Sequence, residues 1–185
     1  QASLDFMING TKTLNDIIHD LLNYSKVNTK KIKLKNVDLN QLLNNLIENL
    51  QSDIERTKAS IILSNIPKSI NIDPIKIRQL FQNLIDNSLK FKKTNTPPKI
   101  IINAIKNEDH YKFTVTDNGI GIEEEYGEKI FLLFKRLHTA DEYQGTGIGL
   151  SICKKIVEQH KGKIGFSSTF GQGTSFYFTI PIQQD

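Results

Sequence analysis

The sequence predicts an α+β domain, a mixed sheet covered by helices on one face, preceded by one long bundle helix. Three observations carry this. Segments with strand and helix periodicity are grouped rather than strictly alternating, which favours a mixed sheet over a doubly wound parallel one. Leu4, Met7, Thr11, Leu14, Ile18 and Leu21 recur at alternating steps of three and four, a heptad seam. The length of 185 residues suits one ordinary core plus an appendage.

Each element has a local cause. Residues 1 to about 27 read as a helix, with Ile8, Ile17 and Leu22 widening the seam toward what a helical bundle needs. One such helix exposes its apolar face, so partner helices beyond the given residues are expected. Lys26 to Lys35 reads as a solvated connector, and the boundary falls between 1–29 and 30–185. Asp38-Leu-Asn-Gln41 resembles a capping box and opens a helix with Leu39, Leu43, Leu46, Leu50 and Ile54 on one side. Short strands follow at 60–66 and 70–72. Asp73-Pro74 pairs an N-cap with proline at the first helical position, starting a helix to about Lys92. Strands are expected at 99–106 and 110–117. The stretch 119–146, glycine-bounded and polar, is too long for an ordinary connection and reads as a lid. A helix over about 148–160 and strands at 163–168 and 174–182 complete the chain.

Composition narrows the function. The net charge of +4 fits nucleotide phosphates or an acidic partner; no lysine/arginine stripe interleaved with aromatics points to nucleic acid. No apolar run approaches the roughly 18–20 residues of a membrane span, and no secretory leader is visible. Cys153, the single cysteine, excludes an internal disulfide and reads as a small buried residue in a helix.

The chemistry concentrates in four short blocks: Asn83 to Lys90, Asp117 to Gly121, Gly145 to Leu150, and Gly171 to Thr174. Asn83, Asn87 and Lys90 share one narrow helical stripe beside an apolar arc of Ile77, Leu80, Phe81, Leu84 and Phe91. Their amide oxygens are hard, neutral ligands suited to Mg²⁺ when phosphates bring the charge, and Lys90 would neutralise those phosphates. A solvated polar face is the alternative. In the strand ending at Asp117, Tyr111, Phe113 and Val115 share the inward parity, and Asp117 continues it. A carboxylate there needs a donor, which an adenine amine supplies; simple turn initiation in Asp-Asn-Gly is the alternative. Gly119 and Gly121 let backbone approach a purine, and Thr174 shares the inward parity of Phe176 and Phe178. Gly145, Gly147 and Gly149 stand ahead of a helix, whose N-terminal amides attract phosphate. Neither a Walker lysine loop nor the Rossmann spacing is present.

These blocks in order, with Phe131-Leu-Leu-Phe134-Lys-Arg-Leu-His138 between the second and third, resemble the ATP-binding domain of sensor histidine kinases, and the run from Gly145 to Val157 is especially similar to phytochrome-like and related bacterial kinases. Leu21-Leu22-Asn-Tyr24-Ser25-Lys-Val27 resembles the end of the second helix of their dimerisation and phosphotransfer domain. The resemblance implies a Bergerat α/β sandwich, shared with gyrase-type ATPases and Hsp90. It implies ATP and Mg²⁺ as cofactors, with Asn87 as metal ligand and Asn83 beside it. Lys90 would contact phosphate and Asp117 the adenine amine. Gly145, Thr146, Gly147, Gly149 and Leu150 would line the phosphates, Thr174 would sit at the adenine, and Arg136 would be a lid cation near the γ-phosphate. Phe131 and Phe134 would anchor the lid on the core. Implied partners are a response regulator receiver domain, an upstream sensor domain and a second copy through the helical bundle, with the catalytic part cytoplasmic. The family's phosphoacceptor histidine lies on a first bundle helix absent from these residues; His19, in His-Asp, falls on the second-helix pattern. A gyrase- or Hsp90-type ATPase and a non-catalytic nucleotide-sensing module are the alternatives.

Overall fold

The computed structural model describes residues 10–11, 14–15, 17–18, 21–22, 24–25, 31–135 and 146–182, leaving aside the side chains of Glu124 and Glu128. The described residues between 10 and 25 are helical, with Leu14, Ile18, Leu21 and Leu22 exposed. Leu4, Met7 and His19 lie outside the described residues.

The rest builds a two-layer α+β sandwich. β1 (Lys35–Val37) pairs antiparallel with β3 (Ile70–Ile72) in a small sheet. The main sheet has five strands in the order β2 (Ser60–Ser64), β4 (Lys99–Lys106), β5 (His110–Asp117), β7 (Gly173–Pro181) and β6 (Ile164–Thr169). Only β2 and β4 run parallel, so the sheet is mixed, as the grouped elements predict. On β5 and β7, Phe113, Val115, Phe176 and Phe178 are buried while Lys112 and Tyr177 are exposed, so helices cover one face. α1 (Leu39–Asn49), α3 (Pro74–Lys90) and α4 (Gly149–Gln159) fill that face. At its centre the Phe81 ring meets Phe113 and Phe178 edge-on, with centroids 6.0 and 5.5 Å away.

Two expectations are corrected. The helix opened by Asp38 does not run through Ile54: Leu50 leaves helical geometry at ψ 6°, and α2 (Gln51–Thr57) restarts beyond it. The apolar repeat continues across the break, so periodicity cannot reveal it. The connector is not solvated throughout, because residues 35–37 form β1 and the Lys33 amide donates to the buried Asp73 carboxylate at 2.9 Å. Three residues with one apolar side chain carry too little alternation to read as a strand. The expected capping features are present: Gln41 N donates to Asp38 Oδ1, and Ile75 N and Lys76 N donate to Asp73.

His160 joins the far ends of α3 and α4. Its Nε2 accepts from the Asp73 amide at 3.1 Å, so the ring hydrogen sits on Nδ1, which donates to Ile156 O at 2.8 Å. Burial holds the imidazole pKa below its ordinary value, with the hydrogen bond to Ile156 and the Asp73 charge opposing and Lys76 assisting. The unfolded chain therefore protonates first, and the neutral ring stabilises the fold fully above the ordinary imidazole value of about 6.5. Thermal stability should fall as pH drops through that value toward the lower folded pKa, and His160→Gln should flatten the decline. Equal pH profiles of melting temperature for the two proteins would refute this origin.

Candidate functional site

The site is built around one helix. α3 starts at an Asp73 N-cap and a proline, and its stripe of Ile77, Leu80, Phe81, Leu84 and Ile85 is fully in the core. That packing places Asn83, Asn87 and Lys90 on the shoulder of the helix, all half-buried, rather than on a solvated back face. The Asn83 amide nitrogen donates to Gly149 O at 3.2 Å, turning its oxygen to the opposite side. Lys90 places its ammonium 4.5 Å from the centre of the Phe91 ring.

Asp117 ends β5 against the same helix. Its Oδ1 accepts from the amides of Gly119 at 2.8 Å and Thr174 at 3.2 Å, and its Oδ2 lies 3.1 Å from Ser88 Oγ. Burial pushes the carboxyl above the usual range, and the bonds from Gly119, Thr174 and Ser88 only partly offset that. A further donor at this carboxylate would stabilise its charged form. Thr174 acts through its backbone; its hydroxyl stands 2.9 Å from Ser168 Oγ. Ser168 Oγ also donates to Gly173 O and accepts from Ile122 N, tying the turn after Asp117 to the β6–β7 hairpin.

The two turn glycines are required by the protein itself. Gly121 has φ +74°, and a Cβ there would stand 2.3 Å from Thr169 O. At Gly119 a Cβ would meet Phe91 O at 2.5 Å. Both added methyl groups would meet neighbouring backbone, because the turn is wedged between α3 and the hairpin. Gly149 differs: its space is open, the nearest atom being Asn83 Cγ at 3.8 Å. Thr146 Oγ1 accepts from Ile148 N, Gly147 takes a left-handed φ of +75°, and Leu150 packs on the core.

At the site, α3 reaches the carboxylate through Ser88 and the glycine turn through Asn83. Five residues separate them, about 7.5 Å along the helix axis. A base at one end and phosphates at the other match that order of groups. Among the described residues no three His, Cys, Asp or Glu side chains cluster for a metal, so a cation here would take amide oxygens from the chain and charge from a ligand. That fits Asn83 and Asn87.

Sequence reasoning missed Ser88 and Ser168. Ser88, at 2% exposure, continues the Ile77–Phe81–Leu84 stripe, and Ser168 continues the parity of Ile164 and Phe166. A hydroxyl in an apolar register was the available signal. The lid anchoring holds for Phe131, which is buried with Ile130 and meets Phe166 edge-on at 6.2 Å. It fails for Phe134, 51% exposed, because the chain turns there with φ +61°. Arg136, His138 and Gly145 lie outside the described residues. Cys153 is buried as expected, its thiol pushed up to about 12 by that burial against a weaker pull from the Asn83 amide.

Residues 72–184 match the family described as histidine kinase-, DNA gyrase B-, and HSP90-like ATPase. The phytochrome-like protein Cph1 of Synechocystis is 44% identical over 179 residues, covering 97% of this chain and 24% of its own length. The chain thus spans about a quarter of that relative. Among solved structures, the catalytic domain of histidine kinase ThkA superposes with a TM-score of 0.70 at 27% identity, over 83% of this chain and all of that domain. Histidine kinase ThkA in complex with response regulator protein TrrA gives a TM-score of 0.74 at 25% identity, over 99% of this chain and 51% of that one.

Proposed function

The chain belongs to the family of histidine kinase-, DNA gyrase B-, and HSP90-like ATPases and carries a histidine kinase catalytic domain of Bergerat type; from that premise we propose that it binds Mg-ATP and transfers the γ-phosphoryl group to a histidine outside these residues. The single observation that carries this is Asp117, a half-buried carboxylate hydrogen-bonded through Ser88 to the helix of Asn83 and Asn87.

In this reading Asp117 receives the adenine amine, and Thr174 keeps that carboxylate in place through its amide. Asn87 and Asn83 would hold Mg²⁺ through their amide oxygens, and the metal would supply charge stabilisation at the phosphates. Lys90 and Arg136 contribute positive charge to the transferring group. The turn of Gly145, Thr146, Gly147 and Gly149, with Leu150 behind it, offers backbone amides at the start of α4 to the phosphates. An imidazole nitrogen attacks the γ-phosphorus, the bond to the bridging oxygen breaks, and ADP leaves. Residues 1–29 then act as the second helix of a dimerising phosphotransfer bundle and 30–185 as the catalytic unit. The phosphoryl group passes to an aspartate of a response regulator, in the cytoplasm; the ThkA–TrrA complex supports that class of partner. Among the described residues no helix is long and apolar enough to cross a membrane.

An Asn at position 83 separates this reading from a gyrase- or Hsp90-type ATPase, since an amide is no general base at neutral pH. Radiolabelled ATP should label an added bundle domain bearing the family's phosphoacceptor helix, with little free phosphate released by the chain alone. Rapid hydrolysis without the bundle domain, and no labelling with it, would overturn the proposal.

Gly149→Ala tests the phosphate turn. The open space at this position and alanine's helix preference predict unchanged or raised thermal stability. A methyl group where phosphate passes should nevertheless weaken ATP binding several-fold by calorimetry. Undiminished affinity would remove Gly149 from the site.

A further inference from the structure

We infer that Asp73 is a positioning residue for the nucleotide site, registering the incoming segment 33–37 against the helix that carries Asn83 and Asn87. The inference rests on the nucleotide reading above and extends it to how the site is linked to the N-terminal helix.

The connection is continuous. β1 zips antiparallel onto β3, pairing Lys35 with Ile72 and Val37 with Ile70, and β3 runs directly into Asp73. Asp73 is 6% exposed, and its polar groups serve three different segments. Oδ1 caps α3 through Ile75 N at 3.1 Å and Lys76 N at 3.2 Å. Oδ2 accepts from Lys33 N at 2.9 Å, forty residues earlier. The Asp73 amide donates to His160, itself 5% exposed at the C-terminal end of α4. Lys76 Nζ adds a bond to Gln159 Oε1 on the same helix end.

α3 and α4 are therefore pinned to each other at both ends. Near the site the pin is Asn83 to Gly149; at the far end it is Asp73 to His160. The far pin is the one that also grips the incoming chain. A helix transmits a displacement of its cap along its axis, and Asn83 lies about 13 Å from Pro74. Buried networks with every group satisfied rigidify what they join, and pulling one member away orphans the others. Movement of residues 33–37 thus moves the amides that would hold the metal, while the Asp117 carboxylate, though it touches Ser88, is held on β5 by the amides of Gly119 and Thr174.

Asp73→Asn isolates the tie. Two helix amides keep the amide oxygen at the cap, so the new NH₂ faces Lys33 N, a donor against a donor. In the ligand-free protein, hydrogen exchange at residues 33–37 should quicken several-fold and the side-chain amide NMR signals of Asn83 and Asn87 should shift. ATP affinity with Mg²⁺ should fall several-fold, and affinity without it should change little. Should Asp73→Asn fail to fold, Asp73→Ser keeps a cap too short to reach Lys33 and carries the same expectations. His160→Gln, able to donate and accept, should match wild type in all three measurements. Faster linker exchange with unmoved asparagine signals and unchanged magnesium dependence overturns the inference. A wild-type chain that binds no nucleotide overturns the functional reading instead, and the ligand-free asparagine signals still decide whether the junction couples the linker to the helix.

Discussion

Asp117→Asn should weaken binding of adenine nucleotide on the order of 100-fold while leaving the ligand-free protein as stable as before, or more so. A charge-assisted hydrogen bond contributes about 1.5–3 kcal/mol, and the variant adds a mismatch to its loss. The amides of Gly119 and Thr174 both donate to Oδ1, so they fix the new carbonyl oxygen there. The NH₂ is left at the Oδ2 position, where it meets the adenine amine as donor against donor. Ser88 adjusts by rotating its hydroxyl.

The stability half follows from the direction of the pKa shift. Asp117 is raised above its ordinary value because burial outweighs its three hydrogen bonds. The folded chain therefore holds the proton more tightly than the unfolded one. Its contribution is most favourable below the ordinary carboxylate pKa and declines as pH rises through the window up to the raised value. At neutral pH the charged group costs stability, and asparagine removes that cost. Calorimetric titration with Mg-ATP and a melting curve at pH 7.5 check both halves. Retained affinity refutes the adenine role; a large fall in melting temperature refutes the balance of burial against hydrogen bonding.

Gly121→Ala should act in the opposite way, unfolding the site through the backbone. Its φ of +74° costs an L-residue about 1–2 kcal/mol. The added methyl would also stand 2.3 Å from Thr169 O, a backbone atom that cannot step aside without opening the hairpin. Gly171 N to Ile120 O and Ile122 N to Ser168 Oγ hold that hairpin against the turn. A total near 3 kcal/mol, roughly 10 °C in melting temperature, is expected. Nucleotide binding should fall with it, because the same turn presents Gly119 N to Asp117. Gly149→Ala is the control, since it adds the same methyl in open space. Equal stability of the two variants would show that the turn gives way without cost.

Much of the fold was legible because its signals are local. The strands expected at 99–106 and 110–117 match β4 and β5 residue for residue, and in the second the alternation of Tyr111, Phe113 and Val115 is the signal. Asp73-Pro74 starts α3 where capping chemistry says it must. The failures are equally physical. β1 exists only because β3 is there to pair with it, and the break at Leu50 keeps the apolar repeat intact. The inward parity of Asp117 and the stripe of Asn83, Asn87 and Lys90 are periodic facts, readable at sight. Ser88 and Ser168 are visible only as hydroxyls in an apolar register, and their meaning depends on which distant carboxylate or amide faces them.

The sequence by itself determined the order of the elements, the faces they bury, and the residue types available to a nucleotide, because periodicity, capping and composition act over a few residues. Tertiary structure alone decided that Ser88 reaches Asp117, that Gly121 is wedged beneath a hairpin, and that Asp73 gathers Lys33, the start of α3 and His160 into one buried junction. Those contacts join residues 29 to 87 positions apart, and only packing of the whole core sets which distant polar groups are left to satisfy one another.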